Sequence, residues 1–433
     1  MNEQPGDRNQ DRSHARTGAM RWVRRRVERP MTTLADPGSA TRSTLAHCGI
    51  ELAAGSEVAI AVGSRGIRDL VVIVSEVIDW VRAAGATPFL VPAMGSHGGA
   101  TASGQRAVLE SYGLGELGVE IRATMDVVPL EQGGAPVPVV FDAEAARAAA
   151  TIVINRVKPH TDFHGPVESG VLKMCAIGLG KRVQAERLHA YGLEGLRDLM
   201  PRVARQVVAA SNVVLGVGIV ENARDETMLV EAMPAAAIES SEARLLDLAR
   251  RAMPVLPVDD LDVLLVDRMG KDVSGVGMDT NVIGRLMIAG APDPVRPRIA
   301  MIGCHSLTPA SHGNATGVGL ADVVTRQLAD AIDHEATRTN IVTSGFLLRG
   351  KLPVVADTAA DLWSYCLRGA HVVEPASVRA MRIVDTLHTE EVWVTEPVAA
   401  ELDATPPADA TVIDLGPCGP LHDDAGALRP FTG

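Results

Sequence analysis

The chain has 433 residues, of which 46% are hydrophobic, 22% charged and 3% aromatic, and its formal net charge is −12. This length and hydrophobic content allow two domains with full cores and are untypical of a disordered or fibrous protein. The acidic balance argues against a general nucleic-acid-binding protein, which would carry a basic surface. No apolar run approaches the roughly 20 residues of a membrane span. Five scattered cysteines without a CxxC pair predict a reducing, cytoplasmic compartment rather than a disulfide framework.

The first 30 residues carry eight arginines but no apolar segment after them, which argues against a secretion signal. We interpret residues 1–30 as a disordered basic tail or an over-extended start, with Met20 and Met31 as alternative first residues. A nucleic-acid-binding arm is the alternative interpretation. The sequence therefore predicts that deletion of residues 1–30 leaves activity intact.

Strands and helices alternate in the first half of the chain. The predicted elements are a strand at 57–63, a helix at 68–84, a strand at 88–94, a helix at about 101–112 and a buried strand at 151–157. This order is typical of a parallel sheet with crossover helices. Arg65, His97 and His160 each follow the end of a predicted strand, which is where open α/β sheets bind ligands.

Further elements follow to the end of the chain. They are a helix–turn–helix at 168–192, adjacent strands at 212–222 and 226–233, helices at 238–252, 320–334 and 356–368, and strands at 262–270, 298–303 and in MRIVDT and EEVWVTEP. The proline-punctuated segment MPVLPVDD predicts a domain boundary near residue 255.

The predicted fold is therefore a two-domain α/β protein with its active site in the cleft between the domains. A tail and lead-in occupy residues 1–44. An N-terminal parallel-sheet domain at 45–255 carries the cofactor and catalytic groups. A C-terminal α/β domain at 256–433 adds substrate contacts, with its GMDTNVIGR loop closing over the cleft.

The segment from Asn155 to Gly192 carries the most chemistry. It places three histidines around Lys173, which itself lies in the apolar run VLKMCAIG. A lysine in apolar surroundings needs a partner or a chemical role. Imidazoles beside an amine that burial can deprotonate indicate metal ligation, acid/base catalysis or a covalent lysine adduct.

Several of these motifs admit competing interpretations. His160 and His164 have the spacing of a helical metal pair, but Pro159 and Gly165 predict a loop. The GLGK segment lacks the remaining residues of a nucleotide-binding P-loop. Cys175 fits a small buried hydrophobic residue better than a metal ligand.

Five segments together resemble the lactate racemase family, whose members use a nickel-pincer nucleotide. They are SRG at 64–66, MGSHGGAT at 94–101, KPH at 158–160, SGVLK at 169–173 and the later His189. The resemblance covers most of residues 45–255 and is weaker in the second half.

The resemblance implies a role for each matching residue. Lys173 would tether the pincer cofactor covalently, and His189 would be the protein ligand to nickel. His97 and His160 would form an acid/base pair on opposite faces of the substrate carbon. Arg65 would bind the substrate or support that pair.

The implied chemistry suits these residue types. The Cα–H of a 2-hydroxy carboxylate is a very weak acid, and hydride transfer to a cofactor avoids the carbanion. Two bases that work near neutral pH are then needed for the hydroxyl proton, a role that histidine fills.

Departures from the family pattern bear mainly on the substrate. DFHGPVE lengthens the interval between His160 and Lys173, which makes His164 a rival for the second acid/base position, and Val62 replaces an acidic residue. The family's substrate-binding glutamine and lysine have no match in the C-terminal half. The glycine-rich loop offers other candidates: Lys271, Asp272, Asp279, Asn281 and Arg285.

The leading hypothesis is a cytoplasmic racemase or epimerase of a 2-hydroxy acid, served by cofactor-biosynthesis enzymes and having no nucleic-acid or membrane partner. One alternative is a metal-dependent hydrolase or lyase that uses His160, His164 and His189 without the pincer. Another is a non-catalytic protein that binds a small acid.

Overall fold

A computed structural model of the protein describes residues 20–63, 66–131 and 133–431. The chain divides into two compact units, each with its own sheet. One unit spans residues 31–253. The other joins residues 254–433 to the first 30 residues of the chain.

The strands are numbered in chain order. They are β1 (Trp22–Glu28), β2 (Glu57–Val62), β3 (Thr87–Pro92), β4 (Val127–Pro129), β5 (Val140–Asp142), β6 (Ala150–Arg156), β7 (Val213–Glu221), β8 (Thr227–Pro234), β9 (Asp260–Met269), β10 (Arg298–Leu307), β11 (Val323–Thr325), β12 (Val354–Ala356), β13 (Ala380–Ile383), β14 (Glu391–Thr395) and β15 (Thr411–Pro417).

The α-helices are numbered in the same way. They are α1 (Pro37–Ala46), α2 (Leu70–Ala83), α3 (Ala102–Ser111), α4 (Ala143–Arg147), α5 (Val171–Lys173), α6 (Lys181–His189), α7 (Gly192–Glu194), α8 (Met200–Ala210), α9 (Ile238–Ala252), α10 (Thr280–Ile283), α11 (Arg326–Asp330), α12 (His334–Ser344), α13 (Ala359–Gly369) and α14 (Glu396–Ala404). Two π-helical turns, Met174–Gly178 and Gly195–Leu199, directly continue α5 and α7.

The 31–253 unit is built on a five-stranded sheet in the order β3-β2-β6-β7-β8. The first four strands are parallel, and β8 is antiparallel to β7. Helix α2 packs on this sheet through a stripe in which Ile73, Val77 and Val81 are fully buried, because apolar residues recur at helical spacing. The α/β fold with a parallel sheet predicted from the sequence is confirmed.

The other unit contains an eight-stranded mixed sheet in the order β12-β11-β10-β9-β13-β14-β1-β15. Strands β9 to β13 run parallel, whereas β14, β1 and β15 form antiparallel pairs. One of its two buried clusters is aliphatic. The other contains tryptophans from β1, β14 and α13.

The expectation of a disordered tail is wrong for the end of the 1–30 segment. Residues Trp22–Glu28 form β1, which pairs with both β14 and β15. Val27 is fully buried, and Arg25 is buried against Asp403 and Asp414. A chain that began at Met31 would lack this strand, while residues 1–19 lie outside the described ranges.

The lead-in at 31–44 also has regular structure, because α1 begins at Pro37 and packs on α2 and β8. The helix predicted at 320–334 is wrong in its first part. Residues 323–325 form β11, whose β-branched residues are buried between β10 and β12. No helix in the described ranges has the length and apolar character that crossing a bilayer requires.

Candidate active site

Three parallel strands bring the predicted site segments to one edge of the five-stranded sheet. The carboxyl ends of β2, β3 and β6 lie side by side, because Val62 pairs with Pro92 on one side and with Ile154 on the other. The chain leaves these ends toward Gly63, the His97 loop and the loop that begins at Lys158. Loops from distant parts of the sequence therefore begin at the same edge, which is where such sheets bind ligands.

The turn that carries Lys173 packs against this edge. Val171 and Leu172 are buried and Lys173 is half-buried. The Gly95 N–H donates to the Gly178 carbonyl oxygen over 3.1 Å, which joins the His97 loop to the end of the Lys173 turn. At Gly63, an added Cβ would lie 3.3 Å from the Met174 sulfur, so the end of β2 also touches this turn.

Lys173 and His160 are in direct contact. Lys173 Nζ lies 2.7 Å from His160 Nε2, and His160 Nδ1 accepts the backbone N–H of Asp162 over 3.1 Å. The imidazole stacks on Phe163, with 4.7 Å between ring centroids, and its side chain is 13% exposed. Burial, and after it the charge of a protonated Lys173, lower the pKa of His160 to about 3. The ring is therefore neutral at neutral pH.

Glu168 holds the loop that presents His160. The loop is closed at its base by paired backbone hydrogen bonds between Lys158 and Ser169. Inside it, the buried Glu168 carboxylate accepts the backbone N–H groups of His160 and Gly165, and it pairs with Arg250 over 2.7 Å. Burial opposes ionisation of Glu168, but these bonds and one from His164 outweigh it and lower its pKa.

The loop separates the two rival histidines. His164 is exposed, and its Nδ1 lies 3.5 Å from Glu168 Oε1. His160 is the one in contact with Lys173. The loop conformation predicted from Pro159 and Gly165 is observed, so the i, i+4 spacing of the two histidines does not place them on one face of a helix.

His97 lies on the loop between β3 and α3 with an exposed side chain. The Gln105 side chain fixes the backbone of this loop. Its N–H groups donate to the carbonyls of Gly95 (2.9 Å) and His97 (3.3 Å). Gly98 follows at φ +64°, and a Cβ there would meet the backbone of Gln105 at 2.7 Å. Glycine is therefore required for the close approach of this loop to α3.

A buried lysine, Lys181, connects the His97 loop to the helix that ends at His189. Its Nζ donates to the Pro92 carbonyl (2.5 Å) and to Gln105 Oε1 (3.3 Å), and it lies 2.8 Å from Asp142 Oδ2. Burial lowers the pKa of Lys181, and the Asp142 carboxylate opposes that change. This lysine of the GLGK segment thus has an internal structural role.

His189 is the last residue of α6 and is exposed. Its Nδ1–H donates to the Ala185 carbonyl oxygen over 2.6 Å. This bond fixes the tautomer in which Nε2 carries the lone pair, as in histidines that ligate metals. In the ranges that the structure describes, no group of three or more His, Cys, Asp or Glu side chains is arranged to hold a metal ion.

The predicted substrate residues of the second half make contacts within their own unit. Lys271 Nζ donates to Asn340 Oδ1 (2.5 Å) and to the Gly275 carbonyl (2.7 Å). Asn281 donates to Asp279 Oδ1 over 3.0 Å. Their assignment to substrate binding stays a prediction.

Arg285 is tied to the body of the same unit. Its guanidinium donates to the carbonyls of Leu320 and Ile299 and to the Asp322 carboxylate, the last over 2.8 Å. These bonds give it a structural role, and its predicted part in substrate binding is untested. Arg65 lies outside the described residues.

Sequence reasoning missed Glu242, which lies beneath the Lys173 turn. Its carboxylate accepts the Leu172 N–H over 3.0 Å, and it lies so close to Gly170 that a Cβ there would meet it at 2.4 Å. Burial raises the pKa of Glu242 to about 7. A glutamate on the apolar stripe that Ile238 and Leu245 continue was the available sequence signal.

Glu168 was missed for a different reason. It lies in an irregular loop, where no periodic pattern marks a buried position.

Comparisons with known proteins add a structural likeness only. No family model and no curated protein matches the chain. Among solved structures it is similar to the lactate racemase apoprotein from Thermoanaerobacterium thermosaccharolyticum, with 11% sequence identity and a TM-score of 0.48. The match covers 84% of this chain and 94% of that one.

Proposed function

We propose that the protein is an isomerase that racemises or epimerises a 2-hydroxy acid, with a nickel-pincer nucleotide linked to Lys173. The observation that carries this proposal is the 2.7 Å contact between Lys173 Nζ and His160 Nε2, at the sheet edge to which the His97 loop is also bonded. It joins an amine suited to a covalent link with an imidazole suited to proton transfer.

The residues present fit the implied cofactor in two respects. An amine must be uncharged to form an amide-type link, and Lys173 Nζ is in direct contact with the His160 imidazole, which burial keeps neutral. A nickel ligand from histidine needs a free electron pair on one ring nitrogen, and the Nδ1–H bond of His189 leaves that pair on Nε2.

Residues of the chain would then have separate roles in the reaction. Lys173 and His189 would hold the cofactor, which would supply an acceptor for the hydride of the substrate's α carbon. His160, held by Glu168, and His97, on its glycine-flanked turn, would hold and move the hydroxyl proton. Substrate contacts from Arg65, Lys271, Asn281 and Arg285 are part of this proposal, as is a cytoplasmic location.

The proposal is tested by co-expression with cofactor-making enzymes, followed by intact-mass and nickel analysis. We expect a covalent mass increase that peptide mapping assigns to Lys173, about one nickel per chain, and racemisation of a 2-hydroxy acid by chiral analysis. Lys173→Arg keeps a long basic side chain but removes the primary amine, and it should abolish both the adduct and racemisation. An unmodified Lys173 without bound nickel under these conditions would refute the proposal.

The same experiment separates the two alternatives. A metal-dependent hydrolase or lyase predicts activity with added zinc or manganese and tolerance of Lys173→Arg. A non-catalytic relative predicts calorimetric binding of a 2-hydroxy acid without racemisation.

A further inference from the structure

We propose that helix α9 is a positioning element for the pair formed by Lys173 and His160. Two side chains of this helix divide that task. Glu242 holds the turn that carries Lys173, and Arg250 holds the loop that carries His160. The use of the pair in racemisation rests on the proposed function, whereas the positioning depends only on contacts within the 31–253 unit.

Helix α9 is itself anchored on the five-stranded sheet. Ile238, Leu245 and Ala249 recur at helical spacing and are buried, so one face of the helix packs inward. Two glycines of β7 let the helix approach closely. A Cβ at Gly218 would meet Leu245 Cδ1 at 2.7 Å, and one at Gly216 would meet Ile238 Cγ1 at 3.3 Å. A helix anchored in this way is a rigid support for the side chains that it carries.

Glu242 connects this helix to the Lys173 turn. The residue is 1% exposed, and its Oε2 accepts the N–H of Leu172, the residue before Lys173, over 3.0 Å. A Cβ at Gly170 would lie 2.4 Å from Glu242 Cδ, so the carboxyl also packs directly against the start of the turn. A carboxylate on a buried helix face costs stability unless it is hydrogen-bonded, and this one is bonded to the turn that ends at Lys173.

Arg250 connects the same helix to the His160 loop. It lies eight residues beyond Glu242, which is about 12 Å along the helix axis. Its Nη2 donates to the Gly165 carbonyl over 2.9 Å and to Glu168 Oε1 over 2.7 Å. The other oxygen of the Glu168 carboxylate accepts the His160 backbone N–H over 2.6 Å. Arg250 therefore acts on the His160 backbone through one intervening side chain.

The contact between Lys173 and His160 needs both connections. Paired backbone bonds between Lys158 and Ser169 close the loop at its base, which lies away from the His160 ring along the chain. A 2.7 Å contact between two side chains requires that each element be placed to within about 0.5 Å. Bonds from one helix to both elements fix the separation of the turn and the loop.

The apoprotein tests this positioning without a cofactor. Nuclear Overhauser cross-peaks between the Lys173 side-chain protons and the His160 ring protons report the contact in protein labelled at lysine and histidine. The chain has five lysines, so Lys173→Arg suffices to assign the signal. We expect the cross-peak in the unaltered protein and its loss in Glu242→Leu and in Arg250→Met.

Variants at Glu242 show whether its hydrogen bond is the cause. Glu242→Gln keeps an acceptor for the Leu172 N–H and should keep the cross-peak that Glu242→Leu loses. If circular dichroism shows that Glu242→Leu is unfolded, Gly170→Ala takes its place. Its Cβ would meet the Glu242 carboxyl and move the turn, so the cross-peak should be lost there as well.

Surface variants of the same helix are the matched controls. Glu239→Gln removes an ion pair with Arg205, and Arg244→Met removes one with Glu231. Both residues lie on α9 without a bond to the turn or to the loop. Both variants should therefore keep the cross-peak at its original intensity.

Kinetics of the cofactor-loaded protein give a second readout. A displacement of about 1 Å near the reacting groups costs about 100-fold in rate, so Glu242→Leu and Arg250→Met should each lower kcat per bound nickel by about that factor. KM should change little, because neither residue binds the substrate. The double variant should lose little more than either single variant, since both act through one contact, whereas independent damage would multiply to about 10,000-fold.

An unchanged cross-peak in folded Glu242→Leu or Arg250→Met would overturn the proposal, as would its absence from the unaltered protein. Multiplied kinetic losses in the double variant, or loss of the cross-peak in the surface controls, would do the same. Failure of the proposed function is a different result, in which the co-expressed protein carries neither adduct nor nickel. The spectra of the apoprotein variants then still decide whether α9 positions the pair.

Discussion

At the scale of single residues, the His160 ring is held by contacts on several sides. Its two ring nitrogens have different partners, a backbone N–H at Nδ1 and the Lys173 amine at Nε2. Phe163 covers one face of the ring, and the Glu168 carboxylate fixes the His160 backbone. The tautomer and the orientation of the ring are therefore set by contacts within the protein.

We expect the His160 ring to remain neutral from pH 8 down to about pH 4, because its pKa is lowered to about 3. Long-range ¹H–¹⁵N correlation spectra should show protonated Nε2 and unprotonated Nδ1 throughout. In 8 M urea the same ring should titrate near 6.5. A folded-state titration near 6.5 would contradict this expectation.

The same displacement of the His160 pKa predicts acid sensitivity. Between about pH 6.5 and 3 the unfolded chain binds a proton at this ring that the folded chain does not, so stability falls as pH falls. The full effect is about 5 kcal/mol in the free energy of unfolding. His160→Asn should show a correspondingly smaller loss in urea titrations over this range.

At the scale of elements, the Lys173 turn is held between a strand edge and helix α9. Gly95 bonds to Gly178 from one side, and Glu242 accepts the Leu172 N–H from the other. One Glu242 oxygen, Oε1, is buried without a hydrogen-bond partner among the described residues. Protonation of the carboxyl therefore removes a buried charge without breaking the bond to Leu172.

Glu242 should make the folded state less stable as pH rises. Burial, and then the nearby Glu239, raise its pKa to about 7 against bonds from the Leu172 and Val171 N–H groups. Between about pH 4.5 and 7 the unfolded carboxyl ionises first, which costs the folded state about 3 kcal/mol. Cys175, the other titratable group beside it, stays a neutral thiol because burial raises its pKa.

The measurement is the free energy of unfolding in urea at pH 5 and pH 8. Glu242→Gln should lose most of the pH-dependent decrease seen in the unaltered protein. Glu239→Gln, on the same helix but paired with Arg205 at the surface, should keep nearly all of it. Equal slopes in the Glu242→Gln and unaltered proteins would show that the carboxyl is already ionised at pH 5.

At the scale of the whole molecule, a strand near the start of the chain pairs with two strands near its end. Strand β1 lies between β14 and β15, so residues 22–28 complete a sheet whose other strands come after residue 259. Carboxylates from the C-terminal region form ion pairs with this segment. Asp403 and Asp414, for example, compensate the charge of the buried Arg25.

Deletion of residues 1–30 is therefore expected to destabilise the protein, contrary to the expectation from sequence. In the full-length protein, Val27→Asp should have a similar effect, because it places an unpaired carboxylate at a buried position of β1. We expect it to lower the free energy of unfolding by about 3–5 kcal/mol. Arg26→Gln, at an exposed neighbouring position, is the control and should cost less than about 1 kcal/mol. Unfolding curves monitored by tryptophan fluorescence measure both, and an unaffected Val27→Asp variant would argue against β1.

The sequence by itself determined the elements whose signal is local. Apolar spacing predicted α9 at its observed bounds and α2 and β6 within about two residues, because one buried face imposes the period of a helix or strand. It also predicted that His97 and His160 follow strand ends. The apolar run VLKMCAIG singled out Lys173, and the family resemblance singled out His189 as a metal ligand.

The tertiary structure alone decided which groups meet. His160 rather than His164 contacts Lys173 because Glu168, Arg250 and the Lys158–Ser169 pairing shape the intervening loop, and no periodicity encodes such bonds. Strand β1 was missed because its pairing partners lie some 370 residues away, as Val23 with Val394. Long-range pairing and burial of polar groups depend on what the rest of the chain brings into contact, which is the physical reason that the sequence pattern could not show them.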